Sequence, residues 1–295
     1  MNKKLLLIIN PVAGKMKSKN ALFDIVKVFC DHDFDVNIKL TARRGHGTEI
    51  AESEHMNYDI IVCVGGDGTL NEVVTGLVRC GAETPVGYIP AGSTNDFANS
   101  IGLSGNIKKA ALAIAEGSPM GLDIGSFKNV YFTYIASFGA FTSASYSTPQ
   151  ATKNAIGHTA YVLEGIKDLS AIKPVHLKAE ADGVIYEGDY IFGGVANSTS
   201  LGGIVKLKKE LVDMSDGLFE VILIKNPKNA NHLNEIILSL MTSEYKNNRS
   251  IDYFRASKIK ISTEDTLPWT VDGEYADGGG EFIIKNMKQR LTIIK

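Results

Sequence analysis

Residues 59–72 read DIIVCVGGDGTLNE, and this stretch decides the fold. Asp59 to Val64 is rich in β-branched residues and reads as a strand. It runs directly into Gly65-Gly66-Asp67-Gly68-Thr69, after which Leu70, Val73, Val74, Leu77 and Val78 recur at the spacing of one helical face. A strand that passes through glycines straight into a helix is the repeating unit of a mostly parallel α/β sheet. The same grammar extends outward on both sides. Upstream lie a strand at Leu5 to Ile9, a turn at Asn10 to Gly14, and a helix opened near Ser18 with Leu22, Ile25, Val26 and Phe29 on its apolar face. A second strand follows at Val36 to Leu40. Downstream come a strand at Val86 to Ile89, a loop at Pro90 to Asp96, and a helix after Asn106 marked by Ile107, Ala110, Ala111 and Ile114. Residues 1–121 are therefore expected to form a doubly wound α/β domain with a mostly parallel sheet.

From Leu122 the pattern changes to strand-like runs at 122–138, 175–186, 189–197, 218–225, 258–262, 267–271, 281–285 and 290–294. Helical patterns interrupt them at about 157–172 and at 233–241. Many strands separated by turn signals predict a β-rich, sandwich-like domain over 122–295, whose last strand is free to return to the first domain. The seam falls in Gly117 to Gly121, and a cleft between unlike domains is a common place for a ligand.

Composition narrows the function classes. The chain has 295 residues, 44% of them hydrophobic, and a formal net charge of -2. That apolar fraction is ample for packed cores and argues against disorder. Near-balanced charge lacks the extended basic footprint of a nucleic-acid binder, so no nucleic-acid partner is expected. Cys30, Cys63 and Cys80 show no CxxC or Cys/His metal spacing and read as reduced thiols, which fits a cytoplasmic protein. The opening MNKKLLLIINP imitates a signal peptide, but its apolar run stops at Asn10-Pro11 and reads better as the first strand. No stretch approaches the roughly 20 apolar residues that cross a bilayer, so membrane contact is expected to be peripheral.

Three loops carry the chemistry of the first half. In residues 65–72, GGDGTLNE, backbone N–H groups are left bare at a helix N-terminus, where they and the helix dipole favour phosphate. Gly65, Gly66 and Gly68 allow close approach of a ligand, and Thr69 adds a hydroxyl. Asp67 would repel phosphate unless a divalent cation lies between them, so it argues for Mg²⁺. The plainer reading is that Asp67 or Thr69 only caps the helix. The loops Asn10 to Lys15 and Pro90 to Asp96 follow strands of the same sheet, and loops at carboxyl ends of parallel strands converge on one crevice. They place backbone amides, Ser93 and Asp96 beside Asp67. Neither GxxxxGK[ST] nor GxGxxG occurs at a strand-to-helix junction.

In the second half, Val271-Asp272-Gly273-Glu274 puts two carboxylates around one glycine at the end of an apolar strand. The pair could take a proton from a hydroxyl or help hold Mg²⁺; equally, Asp-Gly is a strong hairpin signal. The turn Asp213 to Leu218 is either hairpin chemistry or a hard-cation site.

NPVAG (10–14), GGDGTLNEVV (65–74), IPAGSTNDFA (89–98), MSDGLFEV (214–221) and VDGE (271–274), in this order, resemble the diacylglycerol kinase catalytic-domain family, especially its soluble bacterial branch related to sphingosine and ceramide kinases. The resemblance covers nearly the whole chain. It implies an α/β domain and a β-sandwich domain with ATP between them, phosphorylating a hydroxyl of diacylglycerol or a related lipid at the membrane surface. It implies nucleotide contacts at Asn10, Pro11, Val12, Ala13, Gly14, Thr41, Gly65, Gly66, Asp67, Gly68, Thr69, Leu70, Asn71 and Ser93. The family's aspartate, water and Mg²⁺ network would fall on Asp67, Asp96 and Asp272, and its proton acceptor on Glu274. A structural Mg²⁺ would use the Asp216 carboxylate with the main-chain oxygens of Asp213 and Leu218. Where the family often has Met-Gly-Thr, this chain has Ala91-Gly92-Ser93, which keeps the hydroxyl. Apolar residues among Phe132 to Phe141 and near Tyr161 and Leu163 are candidates for acyl-chain contact, with a core role as the alternative. Lys206, Lys208, Lys209, Arg43 and Arg44 are candidates for anionic headgroups at the inner face of the membrane, with a solvated basic face as the alternative. A homodimer is compatible with all of this. The rival readings are a soluble kinase resembling NAD kinase, which also carries a GGDGT loop, and a nucleotide- or lipid-binding regulator without turnover.

Overall fold

The computed structural model describes residues 2–13, 17–139, 173–201, 205–208, 210 and 212–295. The chain divides into two compact units, Met1–Asp123 with Gln289–Lys295, and Ile124–Lys288.

The first unit alternates strand and helix in chain order. Its elements are β1 (Lys3–Ile9), α1 (Lys17–Asp31), β2 (Phe34–Leu40), α2 (His46–Glu54), β3 (Ile60–Gly65), α3 (Asp67–Arg79), β4 (Val86–Pro90), α4 (Asp96–Ile101) and α5 (Ile107–Glu116). The sheet runs β2-β1-β3-β4, parallel throughout, with Leu5 opposite Val36 and Ile60, and Val62 opposite Gly87. Leu5 to Ile9 and every residue of β3 are buried, because helices cover both faces of the sheet. Alternation along β1 sorts the layers. Leu5, Leu7 and Ile9 pack with Ile25 and Phe29 of α1 and with Ala111 and Ile114 of α5. Helix α5 starts as its sequence predicts, with the Asn106 side chain accepting the Lys109 N–H at 3.0 Å.

From β1 the chain steps one way to β2, and the next strand, β3, lies on the other side of β1. The loops after β1 and β3 therefore flank the switch point, where open α/β sheets bind ligands.

Strand β5 (Pro119–Phe127) opens the β-rich part, followed by β6 (Val130–Phe132), β7 (Ile135–Gly139), β8 (Val175–Ala181), β9 (Val184–Ala196) and a small ribbon of β10 (Ser200–Leu201) with β11 (Val205–Lys206). Then come β12 (Phe219–Lys225), α6 (Ala230–Thr242), β13 (Ile251–Ala256), β14 (Lys258–Thr263), β15 (Pro268–Val271), β16 (Glu274–Asp277) and β17 (Gly280–Ile294). The second unit is antiparallel. β9 pairs with β8 over Val184–Tyr190 and with both β7 and β12 over its second half. The core gathers around Trp269, whose ring lies 4.9 Å from Phe138 and 5.1 Å from Phe127.

Several elements differ from the sequence expectations. The run 122–138 is three strands, because turns break it after Phe127 and Phe132. The runs 281–285 and 290–294 are one strand, β17, which passes through Gln289 at φ 49. Its first half pairs with β14, and Ile293 lies parallel to Val86 in the first unit's sheet. Elements α2, α4, β10, β11, β13 and β16 have no counterpart in the sequence pattern. The helix expected at 157–172 lies outside the described residues.

Candidate active site

Two loops of the first unit meet at the switch point. The Asn10 amide nitrogen donates to Thr69 Oγ1 at 3.1 Å, joining the loop after β1 to the first turn of α3. Asn10 also shapes its own loop, its Oδ1 accepting the Val12 N–H at 3.1 Å in an Asx turn. Thr69 is buried and Leu70 fully so, leaving Leu70 only its main chain for a ligand. Val12, Gly68 and Ser93 are exposed. Gly14 lies outside the described residues.

The loop after β4 closes against the loop after β3. A Cβ on Gly92 would stand 2.6 Å from Gly66 Cα, so the two backbones touch and a side chain cannot be placed between them. The Ala91 N–H donates to Gly65 O at 2.7 Å. Asn95, at φ 52, folds its side chain back so that Oδ1 accepts the Gly92 N–H at 3.0 Å. Beneath them Tyr88 is fully buried, and its hydroxyl donates to Gly65 O at 3.3 Å. Burial, reinforced by the Asp67 carboxylate, pushes the Tyr88 phenol far above its ordinary range, so it stays a neutral donor.

Asp67 has a definite structural task. Its Oδ2 accepts the Asp96 N–H at 3.1 Å and its Oδ1 the Phe97 N–H at 3.3 Å. The carboxylate thus caps the first turn of α4 and brings Asp96 beside it. Among the described residues no side chain caps α3 itself, where Gly66 holds the N-cap position in extended conformation. Asp67 therefore does cap a helix, but the next one, α4, and not α3.

Thr41 closes the group, its N–H donating to Ile9 O at 2.9 Å at the carboxyl end of β1. The sequence reading misses Glu72. Its carboxylate accepts the N–H groups of Gly45 at 2.7 Å and Gly47 at 2.9 Å, from the start of α2. The spacing within NEVV gives no hint of this, because the partners lie far back in the chain.

In the second unit the VDGE segment is a two-residue hairpin. Val271 pairs with Glu274, and Asp272 and Gly273 have φ 46 and 88, as a type I′ turn requires. Asp272 nevertheless does more than turn the chain. Its carboxylate is buried and accepts the Thr133 N–H at 2.6 Å, the Thr133 hydroxyl at 2.8 Å, and the N–H groups of Tyr134 and Ile135 at 3.1 Å each. Those four donors use the roughly four acceptor sites of a carboxylate. Glu274 opens β16 and is exposed.

The turn at Asp213 to Leu218 is closed by its own side chains. Asp213 Oδ1 accepts the Ser215 N–H at 3.0 Å, and Asp216 Oδ1 accepts the Leu218 N–H at 2.9 Å. The Arg255 guanidinium bridges Asp216 Oδ2 and Glu220 Oε1. Glu220 is fully buried, and burial pushes its carboxyl up to about 7. Arg255 thus shares the Asp216 carboxylate on which the resemblance implies a structural Mg²⁺.

Phe132, Tyr134, Ile135, Ala136 and Phe138 are buried, so for these the core role holds; Phe141, Tyr161 and Leu163 lie outside the described residues. Arg43 pairs with Glu49 at 2.7 Å and Lys208 pairs with Glu244, which uses part of the basic character expected for headgroups. Lys209 lies outside the described residues. Among the described residues no helix is long and apolar enough to cross a membrane.

Comparison with known proteins points the same way. Residues 4–127 match the family model for the diacylglycerol kinase catalytic domain, and residues 136–286 match the YegS C-terminal NAD kinase beta sandwich-like domain. A diacylglycerol kinase of Bacillus subtilis strain 168 is 32% identical over 297 aligned residues, covering 99% of this chain and 96% of the relative. One from Staphylococcus aureus strain MRSA252 is 33% identical over 276, covering 93% and 87%. The crystal structure of a diacylglycerol kinase from Bacillus anthracis superposes with a TM-score of 0.79 at 24% identity, covering 99% of this chain and 96% of that one.

Proposed function

Because this chain belongs to the diacylglycerol kinase family, a family of phosphotransferases acting on lipid hydroxyls, we propose that it transfers the γ-phosphoryl group of ATP to diacylglycerol or a closely related lipid. The observation that carries the reading is the full-length match to diacylglycerol kinases together with the three glycine-bearing loops joined around Asn10, Thr69, Gly66 and Gly92.

Phosphoryl transfer asks the protein mainly for positioning and charge neutralisation. The uncapped α3 end and the backbone amides of the loops after β1 and β4 receive the phosphates. Mg²⁺, when bound, neutralises charge on the phosphate oxygens; Asp67 and Asp96 are the residues whose carboxylates would hold it. Glu274 accepts the proton of the lipid hydroxyl as its oxygen bonds to the γ-phosphorus and the bridging P–O bond to ADP breaks. The transfer comes late, when bonding to phosphorus has made the attacking oxygen acidic. Asp272, its acceptor sites filled by residues 133–135, holds the hairpin that presents Glu274.

The test is a transfer assay with labelled ATP, with and without Mg²⁺, against vesicles containing diacylglycerol and, in parallel, against NAD. Metal-dependent labelling of the lipid is expected. Labelling of NAD alone would move the activity to a soluble acceptor, and no nucleotide binding at millimolar ATP would remove the kinase reading.

A further inference from the structure

We propose that Glu72 is a positioning residue for the nucleotide, acting through the loop between β2 and α2; this rests on the reading of the chain as an ATP-dependent kinase. Glu72 is half-buried, five positions after Asp67 on α3. Helix α2 has Gly45 at its N-cap, at φ 80, and no side chain of its own to satisfy the first amides. The Glu72 carboxylate does so instead, at 2.7 Å from the Gly45 nitrogen and 2.9 Å from the Gly47 nitrogen. Hydrogen bonds to a charged acceptor are the stronger kind, and two on one carboxylate also fix direction.

The consequence falls on Thr41 to Gly45. This segment is pinned at one end by the Thr41 N–H on Ile9 O at 2.9 Å, and at the other by Gly45 on Glu72. Between the pins, Ala42 N–H donates to His46 Nδ1 at 3.0 Å. Thr41, the residue for which the family resemblance implies a nucleotide contact, is thus held to the same helix whose N-terminus faces the phosphates. The packing of α2 on α3 has separate supports. Thr48 donates to the main-chain oxygen of Glu72 at 2.9 Å, and Gly76 lets the helices approach, since a Cβ there would lie 2.5 Å from Thr48 O. Neither needs the carboxylate, so its loss frees the loop end while the helix pair stays docked.

The experiment compares wild type with Glu72→Ala, Glu72→Gln and Gly47→Ala. A Cβ on Gly47 would lie 2.8 Å from Glu72 Oε2 and displace the carboxylate with Glu72 still present. Equilibrium ATP binding to wild type without lipid comes first, and its absence overturns the kinase reading and this inference with it. With wild-type binding established, Glu72→Ala is expected to raise KM for ATP by about tenfold or more. Its kcat should stay within about threefold and its KM for lipid unchanged. Glu72→Gln keeps one acceptor oxygen and falls between, while Gly47→Ala shifts KM for ATP in the same direction. If Glu72→Ala does not fold, the other two variants decide. A lowered melting temperature with unchanged KM for ATP, or a fall in kcat alone, would overturn the inference and leave the wild-type activity standing.

Discussion

At the scale of single residues, Asp272 and Glu274 stand two positions apart in sequence yet are built for different work. Glu274 is exposed on the first position of its strand, whereas Asp272 is buried under four donors from residues 133–135. In the role proposed for it, Glu274→Gln keeps the shape and removes the base, so kcat on a lipid substrate should fall by about 10²-fold or more while ATP binding changes little, as read by steady-state kinetics beside equilibrium binding. Asp272→Asn turns an NH₂ group toward backbone N–H donors. It should cost about 3 kcal/mol of stability, measured as a lower urea midpoint at unchanged m-value, before any effect on chemistry is read. If Asp272→Asn unfolds like wild type, the clasp on residues 133–135 is not what holds the turn.

Among elements, the loop backbones at Gly66 and Gly92 touch, and on the proposed function that contact sets the width of the phosphate cradle. Gly92→Ala forces a Cβ to 2.6 Å from Gly66 Cα, where neither backbone can yield cheaply. Overpacking of this kind costs roughly 1–3 kcal/mol. ATP affinity should fall with it, and unchanged ATP affinity in a binding titration would show that the loops do not form one cradle. Elements whose signals are local were legible: the DIIVCVGG strand, the α3 stripe and the Asn106 cap all lie within a few residues of what they specify. Helix α2 was not, because its first amides are satisfied by Glu72, whose position is set by another helix. The sequence pattern breaks β17 into two pieces because the polar run Lys288 to Arg290 interrupts its apolar alternation. For the same reason VDGE was legible as a turn and as a carboxylate pair, whereas the donors that divide the labour between Asp272 and Glu274 come from a segment more than a hundred residues away in sequence.

For the whole molecule, the decisive feature is that Gln289–Lys295 belongs to the first unit. Arg290 donates to Ala82 O at 2.7 Å and Leu77 O at 3.0 Å, satisfying carbonyls at the C-terminal end of α3 and beyond it. Lys295 and Ser118 exchange main-chain hydrogen bonds at 3.0 and 3.1 Å, and Ile293 is fully buried beside β4. Arg290→Ala should cost about 2 kcal/mol in urea unfolding, since it uncovers carbonyls rather than merely removing a surface charge. A midpoint equal to wild type would show that water replaces the guanidinium without loss. The same seven residues impose an order on synthesis. Chains emerge from the ribosome at about 5–20 residues per second and domains tend to fold as units, N-terminal first. Here the first unit cannot acquire residues 289–295 until the β-rich unit between its two parts has been made, so the carbonyls near the C-terminal end of α3 gain their Arg290 cover only after residues 124–288 have emerged.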